Sequence, residues 1–275
     1  MSRVLLVLLL AWSTIRSIVA APVPDNELIQ QKMRLPAPLR KPIVALIGDK
    51  CYKTLVEDFE ITNLACIKYS ISKGLGLGIV VGGSIVKIPQ IITIVANSSV
   101  RGLSLASFVL EALACCITFA YNWRQSNPFS TYGESFFLTL QNILISLLIL
   151  FYNRRLGATF GGLIAYLLIL HCLTSPTMLS PWVMASLYAI TIPLSLASKI
   201  PQIYTNFVNK STGQLSVFAV LNYFAGTTAR VFTTMTELDD PLMLMGNLLA
   251  SILNGVLVIQ VFMYWEKRVE PQKAD

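Results

Sequence analysis

The pentapeptide KIPQI occurs twice, at 87–91 and at 199–203, and sets a lysine, a proline and a glutamine into stretches that are otherwise apolar. All three residue types cost free energy in hydrocarbon, so their joint recurrence points to use. Proline donates no backbone hydrogen bond, and its ring crowds the carbonyl four residues earlier, Ile85 for Pro89 and Ala197 for Pro201. A kink is expected at each. The freed carbonyls must then face protein, a polar side chain or water, and Gln90 and Gln202 are the neighbouring donors suited to that task. A kink that serves packing alone is the plainer alternative, because proline is common in membrane helices.

The lysines sharpen the pattern. Lys87 and Glu111 both lie about 12–14 Å from the same end of consecutive apolar stretches, at a rise of 1.5 Å per residue. Glu111 is the only acid in the middle of an apolar stretch, and an isolated charge there is costly, so a Lys87–Glu111 pair is expected. Burial and pairing alone would explain such a pair. The second copy has Tyr223 where the first has Glu111. Lys199 therefore has three options: to share Glu111, to snorkel to headgroups, or to meet an anionic ligand. Asn142, Asn254 and Tyr223 complete the candidate polar lining of a cleft.

Other residues read more blandly. Arg230 is expected to snorkel toward the acidic stretch TELDD (236–240), and Glu134 to be solvated surface. The run GLGLG (74–78) with Gly82 and Gly83 suits close helix packing, as no strand or ribose-binding acid supports a nucleotide loop. The lone histidine, His171, has no nucleophile partner, and GxSxG, HExxH and metal-ligand spacings are absent. The expectation is a protein that is not an enzyme, with no metal and no cofactor.

The elements that position these residues must be membrane helices. The chain of 275 residues is 55% hydrophobic and 13% charged, about half the charged fraction of an ordinary soluble domain. Apolar windows long enough to cross about 30 Å of hydrocarbon fall at 74–96, 103–123, 133–152, 156–174, 181–204, 215–235 and 242–265, which predicts seven spans. Residues 87–105 and 199–217 agree at 10 of 19 positions. A weaker likeness, aligned on Gly133 and Gly246, joins 133–155 to 246–268. Each half thus holds three spans, 73–155 and 181–268, with 156–180 as linker helix and loop. Three spans invert the chain and the linker restores it, so the repeats are parallel, and substrate sites commonly lie between such repeats.

The amino terminus has Arg3, an apolar run at 4–12 and small residues to Ala21, the layout of a signal peptide (1–21), with an uncleaved anchor as the alternative. Residues 22–72 form a polar, proline-bearing leader, and 269–275 a short tail. Arg101, Arg154, Arg155, Lys210, Lys267 and Arg268 fall in one set of connections, which makes that set cytosolic, the amino terminus lumenal and the carboxyl terminus cytosolic. The net charge of +7 then reflects basic loops beside anionic headgroups and requires no nucleic acid. Cys51 and Cys66 would both face an oxidising lumen and are a candidate disulfide, whereas Cys115, Cys116 and Cys172 read as small apolar fillers.

Two K-x-P-Q elements, each on the first helix of a three-span bundle, resemble the PQ-loop membrane proteins, relatives of cystinosin and the SWEET sugar carriers. More narrowly, SKGLGLGIVVGGSIVKIPQI (72–91), RGLSLASFVLE (101–111), NPFSTYGESFFLTLQ (127–141), TGQLSVFAVL (212–221), ARVFTTMTELDDPLM (229–243) and NGVLVIQVFMYW (254–265) are similar to the mannose-P-dolichol utilization defect protein family, over roughly 49–268. The resemblance implies an all-α, seven-span, SWEET-like protein of the endoplasmic reticulum membrane. It also implies a need for the protein when dolichol-phosphate mannose and dolichol-phosphate glucose donate sugars to N-glycan precursors, glycosylphosphatidylinositol anchors and mannosylated proteins. Pro89, Gln90, Pro201 and Gln202 would be hinge positions, and a headgroup phosphate would meet Lys87 or Lys199. The long leader departs from the family. Two other readings stay open: a PQ-loop carrier of a sugar or cationic amino acid, and a non-transporting chaperone of dolichol-dependent glycosyltransferases.

Overall fold

A computed structural model describes residues 35–197, 199–212 and 217–264. The expected signal segment, the first part of the leader, and the residues after Tyr264 with their tail lie outside the described residues.

Two units emerge, divided after Cys66. In the first, α1 (Ala37–Tyr52) carries Pro42 and turns sharply at Gly48, whose φ of 78° suits a residue without a side chain. A short π-helical turn, Lys53–Glu57, follows. Cys51 and Cys66 form a disulfide with Cα atoms 5.2 Å apart, closing a 15-residue separation. The Asn63 side chain accepts from the Cys66 N–H and so caps the start of the next helix.

The second unit is helical wherever it forms regular structure. Its elements are α2 (Leu64–Ile85), which begins in the first unit, α3 (Ile88–Asn97), α4 (Leu105–Arg124), α5 (Phe129–Tyr152), α6 (Leu156–Thr174), α7 (Pro181–Leu196), α8 (Lys199–Asn209), α9 (Val217–Glu237) and α10 (Pro241–Met263). Ser104, Ser180 and Asp240 cap α4, α7 and α10 through side-chain oxygens that accept a backbone N–H three residues on.

Six helical stretches among the described residues are long and apolar enough to cross a membrane: Leu64–Asn97, Leu105–Arg124, Phe129–Tyr152, Leu156–Thr174, Pro181–Asn209 and Pro241–Met263. The first begins ten residues before the window drawn from the sequence. The seventh window, 215–235, falls on α9, a helix of 21 residues that stands outside the apolar set. Asn222, Arg230 and the threonines 227, 228, 233 and 234 dilute its hydropathy.

Each repeat builds the same small core. Ile91, Phe108, Ile145 and Ile149 pack together in the first, and Ile203, Val220, Leu257 and Val261 in the second. Every pair is separated by the 112 residues that separate the two KIPQI segments. The same interval relates Ser98 (φ 46°) to Lys210 (φ 50°), the left-handed residues at which α3 and α8 stop. The third helices therefore align without a gap, Asn142 on Asn254. Aligning them on Gly133 and Gly246 is wrong by one residue, because those glycines answer to unlike neighbours, Phe129 and Ile192. A larger core joins Cys116, Ala120 and Tyr121 of α4 to Leu173 of α6, Met184 and Tyr188 of α7 and Met243 of α10. In it the Tyr121 and Tyr188 rings stack at 4.3 Å.

Of the clustered glycines, Gly76 and Gly83 set the approach of α2 to α5. A Cβ on Gly76 would lie 2.6 Å from the Ser130 carbonyl oxygen, and one on Gly83 2.7 Å from Glu134 Cβ. Either side chain would force the helices apart.

Candidate functional site

The helix breaks are where the prolines require them. α2 stops at Ile85 and α3 starts at Ile88 with Pro89 in its first turn. α7 stops at Leu196 and α8 starts at Lys199 with Pro201 in its first turn. In the first turn of a helix an absent proline N–H leaves no intrahelical bond unmade, so each proline fits as the start of a new segment.

The donors at the breaks differ from those expected. Gln141 of α5 gives its side-chain N–H groups to the carbonyls of Gly83 and Ser84, both at 2.9 Å, and its Oε1 accepts the Lys87 backbone N–H at 3.0 Å. One amide thus bridges both sides of the interruption. In the second repeat Gln260 of α10 donates to the Ile203 carbonyl at 2.9 Å and accepts from Asn206 at 3.1 Å. The role expected of Gln90 belongs to Gln141, whereas Gln260 serves a carbonyl within α8 and not the second break itself. Gln90 and Gln202 lie beyond the breaks and are half-buried, while in the first repeat the third helix runs beside the backbone that needs a donor. A buried amide there costs little because its hydrogen bonds are made.

The lysines at the breaks have unlike partners. Lys87 Nζ lies 2.7 Å from Glu111 Oε2 and 5.1 Å from the Phe108 ring centroid. Lys199 Nζ lies 4.6 Å above the ring of Tyr223, a cation–π contact at the position equivalent to Glu111. Among the described residues Lys199 makes no ion pair. Tyr223 is 60% exposed. Asn142 and Asn254, expected to line a cleft, are instead buried within their bundles. Asn142 shares its face of α5 with Thr139, Ile145, Ser146 and Ile149, all buried, so that face is packed interior. Among the described residues both of its amide atoms, and Oδ1 of Asn254, lack hydrogen-bond partners.

A second polar cluster escaped the sequence reading. Arg230 of α9 pairs with Glu134 of α5 at 2.8 Å and donates to the carbonyls of Ser130 and Thr131. Lys73 of α2 pairs with Glu237 of α9 at 2.7 Å. Ser72 and Ser130 also donate to the Glu237 carboxylate, and Lys73 donates to Ser130. Arg230 therefore does not snorkel, and Glu134 is no solvated acid; the α5 carboxylate offers a nearer partner than the acidic stretch. The Glu237 side chain is fully buried and the other three are mostly so. Two cations face two anions, so the cluster is neutral, and its serines and carbonyls complete the hydrogen bonding that buried charges require. Its sequence signal was the presence of Lys73 on α2, Glu134 on α5, and Arg230 and Glu237 on α9, but which signs meet depends on helix rotation. Tyr121 adds a further link, donating to Asp240 at 2.7 Å.

These bonds between the repeats gather where α2 and α5 begin and α9 ends. The first helix break lies about four turns away along α2 and two to three turns away along α5, and is served by bonds within its own repeat. The arrangement can therefore hold one end closed while each lysine stays with its own repeat.

Comparison with known proteins follows the same division. The model of the PQ loop repeat matches at residues 71–131 and again at 183–243, an interval of 112 residues. The chain is 24% identical to human "Solute carrier family 66 member 3" over 188 residues, which cover 68% of this chain and 90% of that protein. No solved structure matches. Twin repeat matches and six apolar helices together describe a multi-pass membrane protein that carries two PQ loop repeats and is distantly similar to a solute carrier.

Proposed function

We propose that the protein enables dolichol-phosphate mannose and dolichol-phosphate glucose to serve as sugar donors in the endoplasmic reticulum, by presenting the lipid-linked sugar or moving it across the bilayer. In this reading α9 is the seventh span of a SWEET-like layout, the amino terminus is lumenal and the carboxyl terminus cytosolic. The protein performs no covalent chemistry and works beside the dolichol-dependent glycosyltransferases.

The supporting observation is the charge asymmetry of the repeats. Lys87 has Glu111, but among the described residues Lys199 has an aromatic face and no carboxylate. A cation within a membrane span calls for a counter-charge, and a phosphodiester headgroup supplies one. Beside Lys199, the residues Ile200, Tyr204, Phe207 and Val208 form an exposed apolar face of α8 at helical spacing. A polyprenyl tail would lie along it while its phosphate meets the ammonium.

A second reading, transport of a small solute, is favoured by the name of the matched relative, a solute carrier. Broken helices in paired repeats suit alternating access to such a solute. Purified protein in liposomes containing labelled dolichol-phosphate mannose separates the readings. Faster transbilayer movement supports the first and solute uptake the second. Neither effect, with donor use intact in cells when Lys199 is replaced, leaves a chaperone of the transferases.

A further inference from the structure

Away from both lysines, a cavity of about 360 Å³ opens where α4 and α6 end and α7 begins. Its size falls within the roughly 300–1,000 Å³ typical of small-molecule sites, enough for one hexose ring with a substituent. Tyr121 and Met184 are its buried lining, and Trp123, 57% exposed, is an aromatic group on its rim. Arg124, Gln125 and Thr174 supply its polar groups.

Arg124 distinguishes this cavity from a plain interfacial crevice. Its Nη2 donates to the Leu179 carbonyl at 2.7 Å, which fixes the guanidinium plane. Among the described residues its Nη1 is buried without a hydrogen-bond partner and Arg124 makes no ion pair. Among the described residues no carboxylate lines the cavity. Asp240, which contacts Tyr121 from behind, has both oxygens engaged, one by the Tyr121 hydroxyl and one by the Met243 N–H that it caps. A held guanidinium with an unused nitrogen is matched to an oxyanion. An indole beside it offers an apolar face to the C–H side of a sugar ring, and the Gln125 amide offers a donor and an acceptor to its hydroxyls.

We propose that this cavity binds a phosphorylated hexose, with the phosphate at Arg124 and the ring against Trp123. The inference rests on the reading of the protein as one that handles phosphate-linked sugars, and adds a second headgroup contact to it. Arg124 lies thirteen residues along α4 from Glu111, about 20 Å at 1.5 Å per residue, so the cavity is separate from the lysines at the helix breaks. The ligand has two possible sources, a lipid-borne phosphohexose or a free sugar phosphate, which share this chemistry.

The test uses the full chain in nanodiscs, with mannose 1-phosphate as probe and mannose and inorganic phosphate as comparisons, read by calorimetry. Mannose 1-phosphate is expected to bind more tightly than either comparison. Arg124→Gln should weaken it about tenfold or more, the loss of one charge-assisted hydrogen bond. Arg124→Lys should keep part of the affinity, and Trp123→Leu should weaken the sugar ester without weakening inorganic phosphate. Displacement by dolichyl phosphate mannose in the same nanodisc assigns the site to the lipid, and its absence to the free sugar phosphate. Wild-type affinity in Arg124→Gln, or no binding to the unaltered protein, overturns the proposal. The two inferences fail separately. If Lys199→Met abolishes binding and Arg124→Gln does not, the cavity proposal falls and the functional reading stands. If Arg124→Gln abolishes binding while Lys199→Met leaves donor use in cells intact, the cavity stands and the role of Lys199 falls.

Discussion

Lys199 places its ammonium 4.6 Å from the ring centroid of Tyr223, at the two positions where the first repeat joins Lys87 to Glu111. One cation is neutralised by a carboxylate, and among the described residues its counterpart meets the face of a ring instead. The repeats therefore share a backbone plan and differ in charge, and the difference lies beside the helix breaks.

Changing the partner of Lys199 should matter in one direction. Tyr223→Glu supplies the missing carboxylate and removes the demand for an external anion, so donor use in a cell-based glycosylation assay is expected to fall sharply. Tyr223→Phe keeps the ring and should leave donor use close to normal. Equal activity of the two variants would refute an anion site at Lys199.

Lys87 and Glu111 are a partly exposed pair, and solvent or headgroups temper its energy. Glu111→Gln is expected to cost about 1 kcal/mol of stability or less. A double-mutant cycle with Lys87→Met, read from unfolding in nanodiscs, isolates the coupling.

The cluster that joins the repeats should behave differently, since its charges are buried. Arg230→Met strands Glu134 and is expected to destabilise by about 3–5 kcal/mol, whereas Arg230→Met combined with Glu134→Met should regain most of that loss. Thermal unfolding of the three proteins compares them directly. A double variant no better than the single one would show that the pair is not the unit of stability.

Replacing Gln141 by Leu leaves two carbonyls and one N–H at the first break without a partner. Each such group costs about 1–3 kcal/mol when buried, so this substitution should be among the most destabilising in α5. Gln90→Leu should cost much less by the same thermal measurement.

The Cys51–Cys66 bond closes a 15-residue loop, for which loop entropy gives about 3 kcal/mol. Protease protection of the 35–66 segment should drop on reduction and in Cys51→Ser. Protein from cells should show the bond in a non-reducing peptide map if this segment is lumenal. The same orientation leaves the acceptor sequences at Asn97 and Asn209 without glycan, and a glycosidase-sensitive mobility shift at either would reverse it.

The sequence made the repeat, the breaks and the Lys87–Glu111 pair legible because each depends on short-range facts: a proline and the carbonyl behind it, or two charges at equal depth on consecutive helices. Gln141 and Arg230 were not legible. Their partners lie 54 to 100 residues away, and which side chains face them follows from helix rotation, set here by the close approach of Gly76 and Gly83 to α5. Asn142 was misplaced for the same reason, since composition marks a polar residue in a span without saying which side of the helix is interior. The one-residue error in aligning the third helices came from trusting a shared glycine over the constant interval of the apolar core.

Gln141 spans the interruption between α2 and α3 with three hydrogen bonds from a single amide. Swinging α3 would have to surrender the bond to Lys87 while the two to α2 persist, or shed all three at once. Intermediate angles would leave the amide half served. Such a joint favours a few discrete settings over a continuous sweep, like a switch with detents.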